Sequence, residues 1–316
     1  MKEGPAKTVV QGAALCLASL TLALAGTAIP IAGVFFALLT PLPLILLGVR
    51  QGRGAALLGM LSVGASLALL LGRGGYMWIF SLEFGLTALV LAEAIRREWT
   101  PETSVAAGSV AVIGSSLLGL FILSRGGGGV MAYFSGQIDV ALQEAMALYS
   151  KMGFTPEDSG AVSAATQQLQ KFLLATAPGL FIAVALLTTS ANYFLARTGL
   201  TRVSTPPGSD TGFAWKMPDA LVWVFIASAA LFLSGLPIVK QIGLNGLVVM
   251  MTLYFLQGLA IAAFWIRRLK LPAFVRVLGV VLLLLQPLLL LLLTGVGLFD
   301  IWFAFRRQTL PRPPGA

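Results

Sequence analysis

Histidine does not occur anywhere in this 316-residue chain, and cysteine occurs once, as Cys16. A zinc or haem site of the usual ligand types cannot be assembled from that stock, and no intrachain disulfide can form. Charged side chains are scarce as well, at 10% of positions against roughly 25% in a soluble globular domain. Catalytic signatures are missing too: there is no Gly-x-Ser-x-Gly elbow, no P-loop and no dinucleotide fingerprint. Only Glu83 is a carboxylate well inside an apolar run, so an intramembrane acid pair lacks its second member. The expectation is a protein that is not an enzyme and carries no catalytic residues, metal or cofactor.

What is there is apolar. Hydrophobic residues fill 58% of the chain, in runs that approach or exceed the ~18 to 20 residues a helix needs to cross a ~30 Å hydrocarbon core. The runs are continuous rather than alternating, which excludes a membrane β-barrel. The fold class is therefore all-α, a polytopic transmembrane helix bundle of about eight to nine spans. The net charge of +9 does not point to nucleic acid, because the basic residues sit in short loops between apolar runs rather than among aromatics on a polar face.

Taken in order, the runs predict helices near 9–28, 31–49, 54–72, 76–95, 104–124, 172–195, 218–237, 242–266 and 271–294. The polar start with Lys2 and Lys7 followed by an apolar run has the look of a signal peptide. The next span begins at once, however, so the first helix is expected to stay. Pro30, Pro101, Pro218 and Pro272 stand at helix starts, where a missing N–H is harmless. Pro41, Pro43, Pro178 and Pro287 predict kinks or breaks, which a membrane tolerates only where neighbours satisfy the freed carbonyls.

Loop charge sets the orientation. With the N-terminus cytoplasmic, thirteen of the 21 Lys and Arg fall inside, among them Arg50, Arg53, Arg96 and Arg97. Five fall outside, and Arg306, Arg307 and Arg312 lie in the tail. The end of the chain reads two ways: one span followed by an interfacial helix from Leu298 to Phe305, or a broken pair that returns the tail to the cytoplasm. Asp300 either pairs with Arg306 or Arg307 or caps a helix.

The chain divides at the Pro/Gly/Ser-rich loop 197–217. Before it lies a six-span module, 1–196, and after it a segment of two to three further spans with the tail, 218–316. Within the first module the external stretch 125–171 carries Phe134, Ile138, Ala141, Leu142, Ala145, Leu148, Tyr149 and Met152 at helical spacing, with Asp139, Gln143 and Glu144 largely off that stripe. That is an amphipathic helix, either lying on the outer leaflet or serving as a lid hinged at Gly126–Gly129.

Glu83 is the ligand-binding candidate, since an ionisable group in hydrocarbon is costly. Tyr76 and Trp78 precede it by about two turns and stand near the rim of any external pocket, or else in an interfacial aromatic belt. Glu93 has Arg96 and Arg97 at helical pair spacing, an interfacial cluster. Asn192, Gln257 and Gln286 read as interhelical glue, while Lys240 and Asn245 read as a short external turn. Ala14 and Ala18 make an Ala-x-x-x-Ala face on the first helix, and Gly48, Gly52, Gly59 and Gly64 continue the small-residue theme.

Two resemblances follow from these motifs. The Ala14/Ala18 helix, Pro41-Leu-Pro43 and LILLGVRQGRGAALLGMLSVG (Leu44 to Gly64) resemble the substrate-binding subunits of energy-coupling-factor vitamin transporters. The whole chain, with its long external loop and the ending GLFDIWFAFRR (Gly297 to Arg307), is similar to the YybS-like family of predicted bacterial membrane proteins of unknown function. The first likeness implies a small-molecule substrate-binding or transport component of the bacterial inner membrane that lacks its own ATPase. Ala14 and Ala18 would then dock a membrane coupling subunit driven by cytoplasmic ATPases. The additional spans after the Pro/Gly loop depart from that pattern, and the competing class is a non-transporting membrane scaffold or envelope-assembly protein.

Overall fold

The computed structural model describes residues 5–29, 33–72, 75–124, 129–151, 159–204, 216–269, 272, 274, 279 and 286–306. The helices in chain order are α1 (Pro5–Ala28), α2 (Gly33–Leu39), α3 (Pro41–Gln51), α4 (Arg53–Leu70), α5 (Gly75–Phe80), a π-turn (Ser81–Gly85), and α6 (Leu86–Arg96). They continue as α7 (Pro101–Ser124), α8 (Gly129–Lys151), α9 (Ser159–Ser204), α10 (Leu221–Phe232), α11 (Pro237–Arg268) and α12 (Pro287–Phe303). Six helical stretches among the described residues are long and apolar enough to cross a membrane. The described residues also form the α5 to α6 stretch with its π-turn and the shorter apolar helices α10 and α12.

The all-α expectation holds, with corrections at the ends. The span placed at 172–195 is the middle of α9, which runs on through the first part of the Pro/Gly loop to Ser204. Residues 205–215 of that loop lie outside the described set. Most of the first part of the span placed at 271–294, up to residue 285, lies outside the described residues; the described helix begins at Pro287, where the missing N–H is free of cost, and extends past 294 to Phe303. Leu298–Phe303 is thus the end of that helix and not a separate interfacial one. Lys240 and Asn245 are not in a turn but in α11. Gln286 precedes α12 and is exposed, so it glues nothing.

One core binds the first half. Leu44, Ile45 and Leu47 of α3, Val63 and Leu67 of α4, Phe80, Leu91 and Ile95 of the α5–α6 span, Val105 of α7 and Tyr193 of α9 are buried together. Small residues allow the approach, as when Gly48 lies so close to Ala92 that an added Cβ would stand 2.8 Å from the alanine methyl. Gly52 plays a different part. At φ 95° it makes the turn from α3 into α4, a left-handed backbone that glycine adopts without the steric cost of a Cβ.

Helix α9 joins this core to the C-terminal helices, packing against α3 and α7 on one side and α11 on the other. On α11, Gly258 meets the backbone of Leu293 and Tyr254 meets Gly297. Moving four residues forward on α11 is four residues back on α12, so the two run antiparallel with their backbones in contact. Apolar side chains over the rest of the surface, such as Leu69, Trp223 and Leu288, are exposed, which suits a lipid surround rather than water.

Candidate functional site

Residues 75–96 read as one apolar helix, but the backbone widens to a π-turn at Ser81–Gly85. Such a turn adds a residue to the helical register and is found often at functional sites. It is supported locally: the Thr87 hydroxyl donates to the Glu83 carbonyl at 2.7 Å, and Gly85 leaves room for the Met60 side chain, which fills the space a Cβ would take. The Glu83 carboxylate is turned toward α7, where the Ser116 hydroxyl donates to it at 3.1 Å. In the same turn the Ser81 hydroxyl is buried and has no hydrogen-bond partner among the described residues.

The other candidates separate. Trp78 is 66% exposed, so its ring lies on the outer surface of the span while Glu83 faces a neighbouring helix. Tyr76 belongs to α5, and its side chain lies outside the described residues. Ala14 and Ala18 are both exposed on α1, a helix packed against α2, α3 and α4 whose other face is left open.

Near the level of the π-turn a second span is interrupted. Between α2 and α3 the chain breaks at Thr40, next to Pro41 and Pro43, which have no N–H to donate. Neighbouring helices capture carbonyls on both sides of the break: Asn192 of α9 donates to the Leu38 carbonyl at 2.7 Å, and Ser19 of α1 donates to that of Thr40 at 2.9 Å. This is the compensation expected of a kinked membrane helix. It also makes Asn192 the glue that its place in an apolar run implied.

The third interruption is in α9 itself, at Pro178. Asn245 of α11 accepts from the Gly179 N–H at 2.6 Å and donates to the Ala175 carbonyl at 2.8 Å. Sequence reasoning places this residue in a short external turn. The available signal was Gln241 and Asn245, polar and four apart, which share a helix face.

At the opposite end, the arginines gather where α3 turns into α4 beside the end of α6. Glu93 accepts a forked contact from Arg53 of α4 as well as one from Arg97. Arg96, the other residue at pair spacing, lies instead 3.8 Å from where a Gly52 Cβ would be. The interfacial charge cluster is therefore also a tie between helices.

A last polar group sits in the C-terminal part. Asp300 is 2% exposed and accepts from Gln257 of α11 at 3.1 Å, from the Phe305 N–H at 2.9 Å and from Arg306 at 3.1 Å. Gln257 in turn accepts from the Met217 N–H just ahead of α10, also at 3.1 Å. The chain reverses at Ala304, which has φ 45°. Asp300 thus does both things considered for it, ion-pairing with Arg306 and holding the end of its helix; Arg307 lies outside the described residues. Among the described residues no group of His, Cys, Asp and Glu is arranged to hold a metal ion.

Apolar helices in this number, tied at their breaks by buried amides and hydroxyls, define a polytopic helical membrane protein. The chain belongs to the family described as Predicted membrane protein (DUF2232), which it matches over residues 17–301. That agrees with the likeness of the whole chain to predicted membrane proteins of unknown function. No curated protein and no solved structure matches it.

Proposed function

We propose that this protein is the membrane-embedded, non-enzymatic component of a small-molecule transport system, taking a polar ligand from the outer side at the level of Glu83. The observation that carries the reading is the shared depth of the interruptions. Thr40 lies seven residues in from Gly33 and Ser81 six residues in from Gly75, each about 10 Å along its helix. Irregular backbone at membrane depth is tolerated where it is buried in protein or lines a cavity, and transporters build their ligand sites from such broken helices. Here it coincides with an intramembrane carboxylate that accepts from a serine hydroxyl.

The ligand class that fits is a small molecule presenting a cation or a hydrogen-bond donor to Glu83. A second reading, a scaffold for other envelope proteins, draws on the open Ala14/Ala18 face of α1. Native mass spectrometry and metabolite profiling of the detergent-purified protein separate the two. The transport reading expects a small molecule with the wild type that is lost from Glu83→Gln, while helical content is unchanged. A wild-type protein that carries partner chains and no small molecule, or a ligand retained by Glu83→Gln, overturns the assignment.

A further inference from the structure

Helix α9 has 46 residues and is about 69 Å long, well over twice the ~30 Å hydrocarbon thickness. Its continuity is weakest at one place. Pro178 offers no N–H to the Leu174 carbonyl. One residue on, the next rung of an α-helix would pair the Gly179 N–H with the Ala175 carbonyl, and Asn245 addresses both members of that rung. Its Oδ1 accepts from Gly179 at 2.6 Å and its Nδ2 donates to Ala175 at 2.8 Å. One turn earlier on α11, Gln241 donates to the same Ala175 carbonyl at 3.3 Å, and the Asn245 amide also donates to the Gln241 carbonyl at 2.8 Å. The fit is close: a Cβ on Gly179 would stand 2.9 Å from both the Asn245 carbonyl oxygen and its Oδ1.

The segment of α9 beyond this rung does not stand alone. Gln170 donates to Asp139 of α8 at 2.6 Å, and α8 packs along both α9 and α7. That couples α8 and the outer part of α9 into one hairpin. The hairpin bridges the outer ends of α7 and α9, and α7 carries Ser116, the donor to Glu83.

We propose that Ala175–Gly179 is a hinge in α9, clasped by Asn245, on which the hairpin of α8 and outer α9 swings as a lid over the outer side of the bundle. The rung can open without stranding its polar groups in hydrocarbon, because the amide of α11 supplies one set of partners and the helix's own rung supplies the other. Two alternative pairings for the same N–H and C=O give a two-state element. The clasp also gives the C-terminal helices a task that a six-span binding module lacks, since α11 holds the lid. What the lid covers rests on the ligand reading at Glu83; the hinge itself does not.

The test is a distance measurement without ligand. In a Cys16→Ala background, spin labels at Gln143→Cys on α8 and Leu69→Cys at the end of α4 report the hairpin against the bundle in nanodiscs; both positions are exposed. With Asn245 in place one distance dominates and any second population is on the order of a few per cent or less. Asn245→Leu removes both bonds and is expected to raise that second population about tenfold. Pro178→Ala restores the missing donor and is expected to slow amide exchange over residues 175–182, which keeps a readout if Asn245→Leu does not fold. An unchanged distance distribution in Asn245→Leu, or unchanged exchange in Pro178→Ala, overturns the hinge. Loss of the Glu83 ligand reading leaves these distances as they are, so the two proposals fail separately.

Discussion

Many of the polar side chains buried among these apolar helices are spent on backbone. Ser19, Asn192, Asn245 and Gln257 each reach a carbonyl or an N–H on another element. Asn192 shows the cost of removing one. It is fully buried and donates to both the Leu38 and Thr188 carbonyls, so Asn192→Leu strands the carbonyl at the Thr40 break. Interhelical bonds in membranes average about 0.6 kcal/mol with a maximum near 1.7, and an unsatisfied buried acceptor costs about 1–3 kcal/mol. Asn192→Leu should therefore destabilise the protein by about 1–2 kcal/mol, read as a lower midpoint in detergent-induced unfolding. A midpoint equal to wild type would mean that the break at Thr40 needs no partner. Asn192 was readable in sequence because it stands alone in a run of apolar residues. Asn245 was not, because Lys240, Gln241 and Asn245 together mimic a polar turn until their helical spacing is noticed.

Helix ends follow the same logic. The runs fixed which stretches are helical, since a long apolar segment has few other solutions in lipid. They misplaced the limits of α9 because the stretch from Arg197 on reads as the start of the Pro/Gly/Ser-rich loop, although the helix continues to Ser204. The interruption read at Gln286-Pro287 is where α12 begins, since proline suits a helix start, but its far end was set too early, at 294 instead of Phe303. What holds α12 in place is tertiary and invisible in a linear pattern. Asp300 lies between Gln257, Arg306 and the Phe305 N–H. A buried ion pair broken on one side is penalised far more than one removed whole, by about 3–5 kcal/mol in measured cases. Asp300→Leu should thus destabilise strongly, while Asp300→Leu with Arg306→Leu should recover much of the loss. A double-mutant cycle measures this directly. Additive losses would show that the pair contributes nothing beyond packing.

At the scale of the whole molecule, α9 is the common wall of two groups of helices, and the direction of each crossing is fixed by its neighbours. α11 and α12 are antiparallel because Gly258 abuts Leu293 while Tyr254 abuts Gly297. The crossing order from α1 places the arginine turn of Gly52 and the end of α6 on one side, where Arg53 and Arg97 meet Glu93. Lys and Arg concentrate on the cytoplasmic side of membrane proteins, so the expectation is that this side faces the cytoplasm, with α11 running inward and α12 back out. The end of α12 with Arg306 is then expected on the outer side, where a cation is disfavoured. The ion pair lowers that cost, because Arg306 is neutralised by Asp300 at 3.1 Å before it leaves the helix bundle. α12 has 17 residues, about 25 Å, enough to cross a thin bilayer with little tilt. A reporter joined after Ala316 distinguishes the sides: alkaline phosphatase should be active there and green fluorescent protein dark. A fluorescent fusion would place the tail in the cytoplasm and require α11 to enter from the other side, reversing the depth assigned to Asn245 and to the rung it holds.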